Sequence, residues 1–259
     1  MSETAGKTLS IAAILCGVCS VLVSGAVVIL KPRQDFNADL DFKKNILMST
    51  GLYTPGADIN EIFKKVEPAV VDLESGEVTD IDPATFDEGK AQADNIPAQQ
   101  DSAGIKKRAR QQIVYFVKNN GKIEMIVLHL VGKGLWSTMK GFLTLEADAN
   151  TVVGFQYYSH AETPGLGGEV DNPKWIAQWK GKKVFDENMK PAIDVLKSKV
   201  PEGMPHAENK IDGISGATLT MTGVEGTFKF WLSEMGYGKF LENFRAKNPV
   251  AQAEVSNEN

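Results

Sequence analysis

The sequence predicts an α+β domain, in which an antiparallel sheet is flanked by helices, preceded by one N-terminal transmembrane helix. Two pairs of β-forming segments, each joined by a tight turn, predict the sheet. Segments whose apolar residues recur every three or four positions predict the helices. An uncharged apolar run near the N-terminus predicts the transmembrane helix.

Composition limits the class of protein. The chain has 259 residues, 42% of them hydrophobic and 24% charged, which is enough apolar material for a packed core. Its 28 Lys and Arg are outnumbered by 33 Asp and Glu, so the net charge is −5. Binding to a phosphate backbone needs an excess of cations. We therefore expect no nucleic acid partner.

Residues 9–30 form the predicted transmembrane helix. They contain no charge and no proline, and as a helix they would span about 33 Å, more than the hydrocarbon core of about 30 Å. A cleaved signal peptide is the alternative, but its apolar part is typically about 7–15 residues long and ends at a small-residue site. Here the apolar run leads directly into a Lys-Pro-Arg sequence. We predict a tail over residues 1–8, a retained span, and a soluble domain over residues 31–259.

The charges beside the span leave its orientation open. Lys7 precedes the span, whereas Lys31, Arg33, Lys43 and Lys44 follow it. This bias alone would keep the C-terminal part in the cytoplasm. The charge rule is weaker for long translocated domains, and more than 200 residues follow the span.

The two cysteines of the chain, Cys16 and Cys19, both lie inside the predicted span. The soluble part therefore has no disulfide and no cysteine-based zinc site. The pair is read most simply as two small apolar residues. A metal or redox role stays open if another subunit supplies further thiolates.

Helices are predicted on both sides of the sheet. Asp58 begins the first, followed at helical spacing by Ile59, Ile62, Phe63 and Val66. Pro173, after Asn172, begins another, which carries Trp175, Ile176 and Trp179. The acidic stretch 79–104, punctuated by proline, is predicted to be a long surface excursion.

Two hairpins are predicted in the middle of the chain. Residues 112–117 and 123–130 are joined by an Asn-Asn-Gly sequence that suits the positive φ of a type I′ turn. Residues 142–145 and 151–158 form a second pair around Asp148. These four segments supply the antiparallel sheet.

The last predicted helix begins at Thr218 and ends before Gly236 and Gly238. Its apolar residues recur at steps of three and four: Met221, Val224, Phe228, Trp231, Leu232 and Met235. A turn of small residues, Asp212 to Ala217, precedes it. A helix N-terminus carries free N–H groups and favours a phosphate. The alternative is an ordinary Ser or Thr cap beside a tight turn.

Three segments carry a family resemblance. Residues 212–218 read D-G-I-S-G-A-T and match the flavinylation motif D-x-x-[ST]-G-A-T of covalent FMN-binding domains, while residues 132–139 and 162–167 are similar to two further motifs of the same family. With the N-terminal span, the chain over residues 9 to about 244 resembles the C subunits of the sodium-translocating NADH:quinone reductases. Lys140 is one departure, since the family pattern leads us to expect an aromatic residue there.

The resemblance implies FMN attached covalently through its phosphate to the hydroxyl of Thr218. It also implies a separate Mg²⁺-dependent flavin transferase that moves FMN from FAD onto this threonine. Asp212, Ser215, Gly216 and Ala217 complete the cofactor-binding motif, and the transferase is expected to recognise Asp212 and Ser215. Asp212 has the alternative role of capping the turn.

The other two motifs are expected to supply the flavin pocket. Leu135, Trp136 and Leu166 offer apolar faces for the isoalloxazine ring, although each is equally compatible with the core. From the same motifs, the cofactor-binding candidates with polar side chains are Ser137, Glu162 and Thr163. Glu162 and Thr163 would bond the ring or the ribityl chain, and simple surface polarity is the alternative for Glu162.

Neither catalytic side chains nor resident metal ligands are predicted. His129, in a strand, and His206, in a Pro- and Gly-rich loop, lack metal-ligand spacing and are expected to be structural. His160 lies two residues before Glu162, so it is the histidine for which a role at the expected flavin pocket stays open.

The resemblance implies an electron-relay subunit of a multisubunit complex in the bacterial inner membrane, with the soluble domain on the outer, periplasmic face. NADH and quinone would bind other subunits. One alternative is the flavoprotein subunit of the related ferredoxin:NAD⁺ oxidoreductase complex, which shares the threonine motif but fits residues 79–104 and 134–136 less well. The other is a membrane-tethered assembly module without a cofactor.

Overall fold

The computed structural model describes residues 5–248 and divides the chain into two compact units, Met1–Lys43 and Lys44–Asn259. The predicted fold class is confirmed: a six-stranded antiparallel sheet with flanking helices follows one long apolar helix. The strands are β1 (Val66–Asp72), β2 (Glu77–Val78), β3 (Ala93–Asn95), β4 (Lys107–Ala109), β5 (Gln111–Asn119), β6 (Lys122–Lys133), β7 (Thr138–Glu146), β8 (Val152–Ser159), β9 (Asp194–Val195) and β10 (Lys210–Ile211). The helices are α1 (Ala5–Ser49), α2 (Ile59–Phe63), α3 (Pro173–Ala177), α4 (Thr218–Trp231) and α5 (Gly238–Lys247).

Helix α1 contains the predicted span and extends beyond it. Its most apolar 18-residue window has a mean hydropathy of 2.6, and by length and composition it is the one helix in residues 5–248 able to cross a membrane. The helix continues past Pro32 to Ser49. Ion pairs at i,i+4 spacing, Lys31–Asp35 and Lys43–Asp39, favour this polar continuation, which the sequence interpretation did not include.

The six strands lie in the order β2-β1-β5-β6-β7-β8, and neighbouring strands pair antiparallel. The first predicted hairpin is β5–β6, and Asn120 and Gly121 both have positive φ, as a type I′ turn requires. The second is β7–β8, whose turn is held by Asp148 Oδ1 accepting from the N–H groups of Asn150 and Thr151. Strands β3 and β4 pair separately, as do β9 and β10.

Several predicted helix boundaries are wrong. Asp58 caps α2 as expected, but α2 ends at Phe63, and Val66 begins β1 because that strand pairs with β5 from Val66↔Val117 onward. Trp179 lies beyond the end of α3. Met235 lies beyond α4, and Gly238 begins α5 instead of closing the previous helix.

The stretch 79–104 is mostly exposed but also contributes to the core. Ile96 and Ala103 are buried, and the Ser102 hydroxyl donates to the carbonyl of Gly226 in α4. Short strand β3 lies within this stretch and pairs with β4. The surface-excursion interpretation therefore describes most of the segment but misses its inward-facing residues.

Helix α4 packs closely on the sheet and forms the centre of the core. Phe228 stacks on Trp179 with ring centroids 4.4 Å apart, and Trp231 Nε1 donates to the carbonyl of Val131 in β6. A Cβ atom at Gly223 would lie 2.2 Å from the carbonyl oxygen of Lys133. The close approach of the helix to the end of β6 at this point therefore requires glycine at position 223.

On the opposite face of the sheet, His129 lies among aromatic rings. It is 5.5 Å from the ring of Phe142 and its Nε2 is 2.9 Å from the hydroxyl of Tyr158. Burial, with a smaller effect of Lys140, lowers the pKa of His129 to about 4. These contacts fit the structural role expected for this histidine.

The close approach of α4 to β6 predicts that Gly223→Ala lowers the free energy of unfolding by about 1–3 kcal/mol, because the added methyl group overlaps a backbone atom. Urea denaturation of the chain measures the change. Thr222→Ala, at the exposed neighbouring position, should change stability by no more than about 0.5 kcal/mol. Equal effects at the two positions would contradict the packing argument.

Candidate functional site

The turn before α4 is anchored at Asp212. Its carboxylate Oδ1 accepts from the N–H of Val200 at 2.8 Å, and its carbonyl accepts from Trp175 Nε1 at 2.8 Å. Its own N–H donates to Gln178 Oε1. The side chain therefore holds the loop at residue 200 against the start of the motif. This contact is with another loop and differs from the turn-capping role considered as the alternative for Asp212.

Helix α4 begins without a side-chain cap. Gly216 has φ +77°, and the N-cap residue is Ala217, which has no hydroxyl or carboxylate to bond the first N–H groups. Ser215 and Thr218 are both exposed, and neither provides the cap. The ordinary-cap alternative is therefore wrong, and the hydroxyl of Thr218 lies beside an open helix N-terminus.

Glu162 joins the three motif segments. Its carboxylate Oε1 accepts from the N–H of Trp136 at 3.0 Å and from the N–H and hydroxyl of Ser137, both at 3.2 Å. Oε2 accepts from the N–H of Leu135 at 3.2 Å and from the hydroxyl of Thr220 at 2.7 Å. Three successive backbone N–H groups thus surround one carboxylate, as in an anion-binding nest.

The environment of Glu162 favours its ionised form. Its burial, with 5% of the residue exposed, acts to raise its pKa. The hydrogen bonds from Thr220 and from the N–H groups of Trp136, Leu135 and Ser137 outweigh burial, so the pKa lies below the usual value for glutamate. Surface polarity, the alternative considered for this residue, is therefore wrong.

Four exposed apolar side chains surround the start of α4. Leu135, Trp136 and Leu166 are 41%, 71% and 44% exposed, so none of the three belongs to the core. A Cβ atom at Gly216 would lie 2.9 Å from Leu166 Cδ2, which places Leu166 against the turn. The fourth, Leu219, was missed by the sequence interpretation; its signal was an apolar residue off the buried stripe of α4.

The loop that carries Leu166 is closed by backbone bonds of Thr163. Its carbonyl accepts from the N–H groups of Leu166 and Gly168, at 3.1 and 2.9 Å, while the residue itself is exposed. The hydroxyl of Thr163 therefore lies on the outer side of the loop.

His160 and Asp171 form a further pair, which contacts the backbone of Glu162. His160 Nε2 is 2.7 Å from Asp171 Oδ2, and His160 Nδ1 accepts from the N–H of Glu162 at 3.2 Å. The second bond fixes the tautomer, with the proton on Nε2. Asp171 was not anticipated, because its contact depends on the short helical turn Gly167–Asp171 that only the folded chain reveals.

The structure thus brings most of the sequence-predicted site residues together. Glu162 links Leu135, Trp136 and Ser137 to α4, and the loop of Thr163 and Leu166 lies against the turn. Ser215, Gly216, Ala217 and Thr218 form the end of that turn and the start of the helix. Only the carboxylate of Asp212 is directed elsewhere, toward residue 200.

Known proteins are similar to this chain in sequence and in fold. A family model described as an FMN-binding domain matches residues 134–233, which include Glu162 and Thr218. The C subunit of the Na(+)-translocating NADH-quinone reductase of Yersinia pestis is 45% identical over 94% of each chain. The protein of the same name from Vibrio vulnificus (strain YJ016) is 46% identical over 94% of this chain and 97% of its own.

Solved structures agree with these sequence matches. The crystal structure of Shewanella oneidensis NqrC superposes with a TM-score of 0.72 at 35% identity, over 80% of this chain and 97% of that one. The C subunit of the Na(+)-translocating NADH-quinone reductase from Parabacteroides distasonis gives a TM-score of 0.64 at 29% identity, over 82% and 96%.

The contacts of Glu162 predict that Glu162→Ala lowers the free energy of unfolding by about 2–3 kcal/mol at pH 7, because buried donors lose their acceptor. The folded-state pKa is depressed, so this stabilisation is present above the ordinary glutamate pKa and is lost as the pH falls through the folded value. The difference from wild type should therefore shrink below about pH 4.

Urea denaturation at several pH values measures this dependence. Glu225→Ala is the matched control, because the ion pair of Glu225 is an i,i+4 pair with Lys229 on the same helix, α4. That change should cost no more than about 0.5 kcal/mol. A Glu162→Ala effect as small as that of the control would contradict the role assigned to the carboxylate.

Proposed function

We propose a function on one premise: this chain belongs to the family of C subunits of the Na(+)-translocating NADH-quinone reductases. It is therefore a flavoprotein-type subunit of an oxidoreductase complex, with an FMN-binding domain. Within that family role, we propose that it carries FMN covalently on Thr218 and relays electrons between neighbouring redox centres of the complex.

The start of α4 is the observation that carries the proposal. Thr218 is exposed at the first position of a helix that no side chain caps, so a group attached to its hydroxyl would lie close to the free N–H groups of the first turn. A phosphodiester on the Thr218 oxygen keeps one negative charge, which these N–H groups can solvate without a metal ion. Gly216 has a positive φ, and a Cβ atom there would contact Leu166, so the turn before Thr218 requires glycine at this position.

The exposed apolar side chains suit the isoalloxazine ring. Leu135 and Trp136 project from the turn that Glu162 holds, and Leu166 lies against Gly216. These three residues would flank the ring, and Thr163 and Ser137 lie at its polar border. Glu162 itself is bonded to protein donors, so its role is to fix the turn of Leu135 and Trp136. Flavin supplies the redox chemistry, while the chain positions it.

Maturation would require a flavin transferase. The stretch from Ser215 to Leu219 contains four exposed residues and is open to such an enzyme. The Asp212 carboxylate is already bonded to Val200, so we assign it to shaping this stretch.

The N-terminal helix would anchor the protein in the bacterial inner membrane. Residues 9–30 of α1 are largely apolar and exposed, as a lipid-facing helix requires. We assign the NADH and quinone sites to other subunits. A single uncharged span does not conduct sodium by itself, so sodium transport is also assigned to them. We propose a periplasmic position for the soluble domain, in agreement with the family resemblance.

Two alternatives are less well supported. The ferredoxin:NAD⁺ oxidoreductase flavoprotein would share the threonine motif, but the relatives described above match 94% of this chain, including the segments around residues 79–104 and 134–136. A cofactor-free assembly module would account for exposed apolar side chains. It would not account for the match of residues 134–233 to an FMN-binding domain.

The proposal predicts that Thr218→Val abolishes covalent flavin when the chain is co-produced with the flavin transferase. Wild type should give a band that fluoresces under ultraviolet light on a denaturing gel, and the variant should give none. Thr222→Val removes another exposed hydroxyl one turn later on α4 and should leave fluorescence unchanged. A dark wild-type band, or a fluorescent Thr218→Val band, would overturn the attachment site and favour another role.

The anchor proposal predicts that a chain lacking residues 9–30 moves from the membrane pellet to the soluble fraction after an alkaline wash. The full-length chain is the control and should remain in the pellet. A reporter that is active only outside the cytoplasm, fused after Asn259, should be active. Activity of a cytoplasm-only reporter at the same position would contradict the periplasmic assignment.

A further inference from the structure

We propose that the Glu162 carboxylate sets the reduction potential of the flavin on Thr218 by acting as a fixed, buried negative charge beside the ring. This inference rests on the proposed function, since it requires a flavin at that residue. It assigns Glu162 an electrostatic role in addition to its role in holding the turn.

The charge of Glu162 is not compensated by a cation. Within residues 5–248, its hydrogen bonds come only from neutral donors: three backbone N–H groups and the hydroxyls of Ser137 and Thr220. Dipoles of this kind stabilise a carboxylate but leave its net charge of −1 in place. Because only 5% of the residue is exposed, water screens this charge poorly.

The hydrogen bonds of the carboxylate connect it to the residues that we assign to the ring site. It bonds the backbone of Leu135 and Trp136, whose side chains point outward, and it bonds Thr220, two residues after Thr218. The negative charge is therefore hydrogen-bonded to the backbone of both ring-flanking residues and to the first turn of the helix that carries Thr218.

The supporting pair keeps the charge in this position. His160 Nδ1 accepts from the N–H of Glu162 and is itself oriented by Asp171. The side chain of Asp171 is 51% exposed, so its own charge is screened by solvent. Among the nearby carboxylates, Glu162 is thus the one whose field is expected to act strongly on the flavin.

The effect has a definite sign. When a one-electron donor reduces the flavin without transfer of a proton, one electron is added and the ring becomes more negative by one charge. A nearby carboxylate disfavours that product and lowers the potential. Neutralising it should favour the reduced form by about tenfold, which corresponds to about 59 mV for one electron.

The test uses the full-length chain with flavin attached by the co-produced transferase. It is titrated with dithionite in the presence of mediator dyes, and absorbance gives the potential of the first electron. We expect Glu162→Gln to raise this potential by about 59 mV, which corresponds to a tenfold change in the one-electron equilibrium. Glu162→Asp keeps the negative charge and should change the equilibrium constant for one-electron reduction by no more than about twofold.

Glu225→Gln is the matched control for loss of one negative charge. It lies on the same helix, seven residues after Thr218, and is paired with Lys229. The potential for the first electron in the Glu225→Gln variant should equal that of wild type. A general effect of net charge would instead shift Glu162→Gln and Glu225→Gln equally, and that result would overturn the inference.

A second measurement covers the case in which Glu162→Gln does not fold. In the flavin-free Thr218→Val chain, the ¹³C signal of the Glu162 carboxyl group reports its ionisation directly. We expect the ionised form down to a pH below the ordinary glutamate range; a neutral Glu162 at pH 6 would overturn the inference.

The two proposals fail in different ways. A flavinylated Glu162→Gln chain with the wild-type potential overturns only the electrostatic role. A wild-type chain without flavin on Thr218 overturns both.

Discussion

One buried carboxylate determines the architecture of the site. Glu162 comes from the loop after β8, the turn of Leu135 to Ser137 connects β6 to β7, and Thr220 belongs to the first turn of α4. These segments are far apart in the sequence, and they meet because each supplies a donor that a carboxylate in a poorly hydrated place requires. This shared acceptor joins the turn of Leu135 and Trp136 to the first turn of α4.

The rigid base beneath this site comes from aromatic packing. Phe228 of α4 stacks on Trp179 and also contacts Phe155 of β8, so the helix that begins at Thr218 is fixed to the sheet and to the segment after α3. Glycine at position 223 permits the close approach. Thr218, the first residue of this helix, is thus exposed on an element that is firmly packed against the sheet.

Local patterns were sufficient to predict strands β5 to β8 and a helix that begins at Thr218. The Asn-Gly turn, the alternating strands and the small-residue motif each depend on neighbours in the sequence, and the hairpins, α4 and the fold class follow from them. The role of Glu162, the pair His160–Asp171 and the inward-facing Ile96 and Ala103 depend on contacts between distant segments. Helix boundaries failed for the same reason: pairing of Val66 with Val117 outweighs a helical pattern that spans only two turns.

The exposure of Trp136 gives the chain an optical property of its own. Of the four tryptophans, Trp175, Trp179 and Trp231 are almost wholly enclosed, whereas Trp136 is 71% exposed. Its indole emission therefore arises in a water-like environment, at longer wavelength than that of the other three, and is the component most accessible to a dissolved quencher such as acrylamide. A flavin attached at Thr218, as proposed, would quench this emission by non-radiative energy transfer from the indole. The intensity of the tryptophan fluorescence would therefore report the fraction of chains in a preparation that carry flavin.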